Sequence, residues 1–137
     1  MTQIRTIAEV AELALLVWRE ARGETYDAKV AVAYVVVERA KIGGWWGNSI
    51  LEVMAKPYQF SSMTDPKDRQ LVKWPLWTPD YEICVAIARD VLSGVAVNPM
   101  HGADHYHDTS IAPPEFTHGA RYLGKLGRLM FYRVTKG

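Results

Sequence analysis

Residues 30–37 read Val-Ala-Val-Ala-Tyr-Val-Val-Val, the apolar centre of a longer stretch, 27–41. Five of these eight residues are valine, and β-branched side chains favour strands. The length of the stretch argues the other way. So do Val30, Tyr34, Val37 and Ala40, which recur at helical spacing. The spacing predicts a buried helix over 27–41, ended by Gly43 and Gly44.

The flanking segments give more helix than strand. Thr6 with Glu9 reads as a capping box opening a first helix. Ile7, Val10, Ala11, Ala14, Trp18 and Ala21 form its apolar face, and Gly23 stops it. Ser49 with Glu52 caps a short helix that ends before Pro57. Residues 58–78 are punctuated by proline and rich in polar groups, so a long surface loop is expected. Thr78 and Pro79 open a further helix with Ile83, Ile87, Ala88 and Val91 on its face, ended by Gly94. Residues 95–107 suit a small hairpin or an extended loop. Residues 126–134 suit a strand or a last helix. The expected fold is mainly α (α+β), with a small β element, in one domain over 1–137.

Composition narrows the function classes. A chain of 137 residues with 49% hydrophobic and 23% charged content suits a soluble domain needing neither disulfide nor metal for stability. Cys84 is the one cysteine, so no internal disulfide forms. A net charge of +1 gives no general attraction for nucleic acid. No apolar stretch reaches the roughly 20 residues of a membrane span. Glu9 and Glu12 interrupt the only N-terminal candidate for an export signal. After Glu115 no acid occurs, while Arg121, Lys125, Arg128, Arg133 and Lys136 do. That run is either a solvated face or an attraction for an anionic polymer or envelope.

Three groups of residues carry candidate chemistry. Glu20 falls at the end of the first helix, flanked by Leu13 and Leu16 on the helix surface. Apolar neighbours and the negative end of the helix dipole both favour a protonated carboxyl, as a general acid requires. The bland alternative is a boundary glutamate paired with Arg19 or Arg22. Trp45, Trp46, Tyr58, Phe60, Trp74 and Trp77 lie in or beside loops, where they suit stacking on sugar rings or a share of the core. His101, His105, His107 and Asp108, with His118 beyond, could ligate zinc but match no closed zinc spacing. On a strand, His105 and His107 share one face, as in a polar cleft wall.

Read in order, Glu20-Ala-Arg-Gly-Glu24, the valine run to Glu38-Arg39, Gln59-Phe60-Ser61, Gly102-Ala103 to Tyr106, and Phe131-Tyr132-Arg133 resemble the SleB-type cell-wall hydrolases. These are the spore cortex-lytic enzyme family, whose members include phage lysins. The resemblance covers roughly residues 12–133. It implies a lysozyme-like, lytic transglycosylase-like domain cutting peptidoglycan between N-acetylmuramic acid and N-acetylglucosamine. The catalytic acid then falls on Glu20. Substrate-binding positions fall on Glu24, Gln59, Phe60, Ser61, His105, Tyr106 and Tyr132. No metal or cofactor is implied. The chain departs from the family pattern at Asp108, usually asparagine, and near Phe116, usually tryptophan. It also departs at Gly127-Arg128-Leu129, where the family has Gly-Asn-His.

The resemblance implies one carboxylate acting first as acid and then as base, leaving a 1,6-anhydro sugar. A water-consuming muramidase would need a second carboxylate, for which Glu24, Asp27, Asp65 and Asp68 are available. A zinc amidase or peptidase built on the histidines, and a non-catalytic wall-binding module, are the other readings. The partner is the glycan strand, and a monomer is expected. Without an export signal of its own, the protein is expected to be made in the cytoplasm. It would reach the wall as a phage endolysin or from a virion.

Overall fold

Helix α1 (Ile7–Ala21) is buried continuously from Leu13 to Arg19, on every side rather than along one stripe. A helix of that kind must be surrounded. Around it pack α2 (Tyr26–Ile42), α3 (Ile50–Ala55), α4 (Ser61–Thr64) and α5 (Pro79–Leu92). The computed structural model describes residues 7–57 and 59–135, so Thr6, and with it the first capping box, lies outside the described residues. The expected face of α1 holds only in part. Ile7 and Ala11 are exposed, because the surrounding helices enclose only the later turns.

The valine run is helical. Thr25 caps α2, its hydroxyl oxygen accepting from the Ala28 N–H at 3.2 Å. Valine disfavours a helix by at most ~0.7 kcal/mol each. Burying its side chain returns ~1.5–3 kcal/mol. Val30, Val32, Val35 and Val36 are all 2% exposed or less, so burial wins. At Gly43 the backbone turns to φ +68°, and its N–H closes on the Arg39 carbonyl at 2.9 Å. Ser49 then caps α3, accepting from the Glu52 N–H and donating to the Glu52 carboxylate, both at 3.2 Å.

Residues 59–78 are more ordered than a plain loop. They hold α4 and a 3₁₀ turn at Arg69–Val72. The buried Arg19 organises them from inside, donating to the carbonyls of Ser62 (3.0 Å), Leu71 (2.9 Å) and Lys73 (3.1 Å). In α5, Pro79 takes the first helical position, but the Thr78 hydroxyl turns to Asp80 rather than to a backbone N–H. Asp80 also accepts from the Trp18 indole at 3.1 Å, tying α5 to α1. The buried face is Cys84, Ile87, Ala88 and Val91, with Ile83 turned outward.

The C-terminal third supplies an antiparallel sheet of three strands in the order β1-β3-β2. These are β1 (His105–Asp108), β2 (Arg121–Leu126) and β3 (Leu129–Arg133). Residues 95–104 are turns, and β1 pairs with the distant β3 rather than forming a local hairpin. No helix among the described residues is long and apolar enough to cross a membrane.

The β2–β3 turn depends on Gly127, at φ +58°. A Cβ there would sit 2.4 Å from Oε1 of Glu24. Gly127→Ala should therefore destabilise the fold by at least ~1–2 kcal/mol, the penalty of left-handed backbone alone. A thermal melt would read this as a Tm several degrees lower. An unchanged Tm would refute the close packing of Glu24 on this turn.

Candidate active site

Glu20 lies half-buried in the last turn of α1. Opposite it, alternation along β1 turns Tyr106 one way and His105 and His107 the other. Tyr106 packs against Phe131 in the adjacent strand, ring centroids 5.8 Å apart. Its hydroxyl donates to Oε1 of Glu20. Burial pushes the Tyr106 phenol well above its ordinary range, and the Glu20 charge and hydrogen bond push it further. Tyr106 is thus a neutral donor at any working pH. Neither Arg19 nor Arg22 takes the Glu20 carboxylate. Arg19 serves the loop carbonyls, and Arg22 bonds the Trp18 carbonyl and covers its ring.

The third member is Arg39, on the buried side of α2 and only 5% exposed. Its Nε donates to the Asp104 carbonyl at 2.8 Å. Its guanidinium lies over Trp46 (4.3 Å to the centroid) and Phe60 (4.7 Å). Nη1 is buried and has no hydrogen-bond partner among the described residues. Burial pulls the guanidinium down to about 10, while the nearby Tyr106, Asp104 and Glu20 resist. It remains a cation at neutral pH, within electrostatic reach of Glu20 and Tyr106. The sequence offers Trp46 as a loop aromatic suited to sugar stacking and Arg39 as the end of the family-like valine run, with nothing local that links either to Glu20. The available signal was an arginine one turn beyond Val35 and Val36, in line with the buried face of α2.

Of the other candidates, Phe60 joins the site through Arg39, and His105 through Trp46, at 5.3 Å between rings. Gln59 is half-buried in the turn before α4, its N–H on the Lys56 carbonyl. Ser61 is exposed and donates to Asp68 at 2.6 Å. Tyr132 lies with His107, its hydroxyl 3.0 Å from Nε2, in a set of rings that includes Phe116 and Tyr122. Glu24 braces the β2–β3 turn: it accepts from the Arg128 backbone N–H (2.9 Å) and from its Nε (3.2 Å). Glu24, offered by the sequence as a substrate-binding position or a second carboxylate, is thus committed to Arg128.

Asp104 holds this wall in place. Its side chain is fully buried, with Oδ1 accepting from the Val134 N–H (2.8 Å) and Oδ2 from the Thr135 N–H (2.9 Å). His105 Nδ1 sits 3.0 Å from Oδ1, so that nitrogen carries the proton. Burial alone would raise the Asp104 carboxyl. The bonds from His105, Thr135 and Val134 outweigh it and hold the carboxyl well below the usual carboxylate range. Of the histidines, His105 is held by Asp104 and His107 by Tyr132, while His101 and His118 are exposed. Among the described residues no three His, Cys, Asp or Glu side chains gather in a metal-holding group.

The remaining carboxylates also have local work. Asp65 accepts from the Lys67 N–H, and Asp68 from Ser61 and the Gln70 N–H. Asp27 is exposed in the first turn of α2. The basic C-terminal run is mostly solvated, with Arg121, Lys125 and Arg128 exposed and Arg133 half-buried. Arg128 pairs with Glu24, and Arg133 with Glu38 at 3.2 Å.

This arrangement, a half-buried glutamate at a helix end facing a small sheet, belongs to a lysozyme-like fold. The fold is similar to the catalytic domain of the germination-specific lytic transglycosylase SleB from Bacillus anthracis, with a TM-score of 0.77 and 22% identity over 97% of this chain and 100% of that one. The SleB catalytic domain from Bacillus cereus is similar to the same degree, with a TM-score of 0.76 and 22% identity over 97% and 95%. A search of curated proteins found no match. The family model for cell wall hydrolases matches residues 23–132, and the chain belongs to that family. Glu20 lies just before the matched span.

Proposed function

We propose that the protein is a lytic transglycosylase that cuts peptidoglycan between N-acetylmuramic acid and N-acetylglucosamine, with Glu20 as its acid and base. The observation that carries this reading is the Glu20 carboxyl held by the neutral Tyr106 hydroxyl beside the buried Arg39 cation. Of the other candidate carboxylates, Glu24, Asp65 and Asp68 are bonded elsewhere and Asp27 is exposed in the first turn of α2. Membership of the cell wall hydrolase family and the likeness to SleB lytic transglycosylase domains support the substrate class.

In the first step the protonated Glu20 gives its proton to the glycosidic oxygen as the bond to C1 of the muramic acid breaks. Arg39 stabilises the carboxylate left behind, and Tyr106 keeps one of its oxygens in place. In the second step the C6 hydroxyl of the same muramic acid attacks C1 while Glu20 takes back the hydroxyl proton. The products are a free 4-hydroxyl on one side and a 1,6-anhydro ring on the other. No water is consumed, so no second carboxylate is required to activate one.

Purified sacculi test this directly. Loss of turbidity should proceed without a matching rise in reducing ends, because the anhydro ring has none. A reducing end for every cut would instead mean hydrolysis, and newly freed amino groups would mean an amidase or peptidase.

A further inference from the structure

The segment 72–77, Val-Lys-Trp-Pro-Leu-Trp, exposes more apolar surface than any core-based account explains. Trp74 is 69% exposed and Trp77 81%, with Leu76 and Val72 open beside them. Contiguous apolar surface of this kind marks a binding site more often than an accident of folding. We propose that Trp74 and Trp77 form a second glycan-binding platform, outside the reacting site, that holds the peptidoglycan strand by ring stacking. The identity of the ligand rests on the peptidoglycan reading above.

The rings are exposed yet held. Arg19, itself buried, bonds the carbonyls on either side of this run's start, Leu71 and Lys73. Its guanidinium lies over one face of the Trp74 ring at 4.6 Å from the centroid. That leaves the opposite face of Trp74 to solvent. Pro75 restricts the backbone between the two tryptophans. The Thr78 N–H closes on the Leu76 carbonyl, and the Trp77 ring meets Tyr81 edge-on at 5.7 Å. Rings fixed before binding lose little freedom when a ligand arrives. Trp74 and Trp77 are three residues apart, so their Cα atoms are at most ~11 Å apart. That is within the reach of neighbouring sugars on one strand.

The surroundings favour sugar over lipid. A pyranose offers an apolar C–H face for an aromatic plane and a rim of hydroxyls for polar neighbours. Lys73, Thr78 and Asp80 provide such neighbours here. Asp80 and Glu82, in the first turn of α5, would be repelled by an anionic bilayer. The platform runs along α1 from the end that carries Glu20, where Arg19 stacks on Trp74, toward its start, where Trp77 lies by Ile7, Val10 and Ala11. Arg19 precedes Glu20 in α1, and the segment that ends on these tryptophans begins with Phe60 on Arg39.

The test is sacculus binding in a Glu20→Gln background, where no cleavage confuses the reading. Adding Trp74→Ala and Trp77→Ala together should weaken binding at least about tenfold, as losing two aromatic anchors does. The Phe pair should restore most of it. Trp77→Ala alone, which leaves the Arg19 stack intact, gives the answer if the double variant melts early. Equal binding with and without the rings would overturn the platform. So would loss of binding to phosphatidylglycerol vesicles with sacculus binding unchanged. Neither result would touch the transglycosylase reading, which is judged on product chemistry.

Discussion

Glu20→Gln should lower the release of soluble wall fragments by at least about 10²–10⁴, the contribution of a positioned acid and base. The loss should sit at the upper end, because one residue serves both proton transfers. The fold should survive. An amide oxygen can still accept the Tyr106 hydroxyl, which is the bond the carboxyl makes to β1. Near-wild-type circular dichroism, a Tm within a few degrees and unimpaired sacculus binding should accompany the lost activity. A variant that still lyses sacculi at a tenth of the wild-type rate or more would remove Glu20 from the mechanism.

The largest expected effect on stability belongs to Asp104→Ala. The carboxylate is fully buried and receives the Val134 and Thr135 N–H groups and the His105 ring. Removing it strands those donors, and breaking a buried charged network of this kind costs about 3–5 kcal/mol. His105 would also lose the contact that orients it against Trp46 and Phe116. Urea unfolding at neutral pH measures the loss, and a change below ~1 kcal/mol would contradict the account. Acid supplies an independent check. The folded carboxyl is held below its unfolded value, mainly by the bonds from His105, Thr135 and Val134 acting against burial. Its stabilisation is therefore complete above the unfolded value of ~3.9 and declines as the pH falls through that value toward the lower folded one. Below about pH 4 the wild type should lose stability more steeply than Asp104→Ala.

Some of this architecture is legible in the chain and some is not, for physical reasons. The helix over 26–42 is readable because its length and its glycine stop outweigh valine's preference for strands. The faces of α1 and α5 are only half readable. Periodicity identifies an apolar stripe but not where the neighbouring helices end, so Ile7, Ala11 and Ile83 emerge exposed. Glu20 stands out as a boundary carboxylate, yet its partner Tyr106 is 86 residues away. No local spacing links the two, and only the resemblance put them in one site. Arg39 sits in a run that reads as core, and a buried cation is recognisable only once its ring neighbours and the Asp104 carbonyl are in place. Glu24 lies in the most family-like string of the chain, but its bond to the Arg128 backbone is set by a hairpin 104 residues later.

The central claim is that one carboxylate makes an anhydro sugar. The decisive measurement is the mass of muropeptides released from sacculi digested by wild-type protein in ¹⁸O-labelled water. The account predicts products one water lighter than the hydrolysed disaccharide, carrying no ¹⁸O at the muramic C1. Muropeptides with a reducing end that carries the label would contradict it, and would call for a second carboxylate to activate that water.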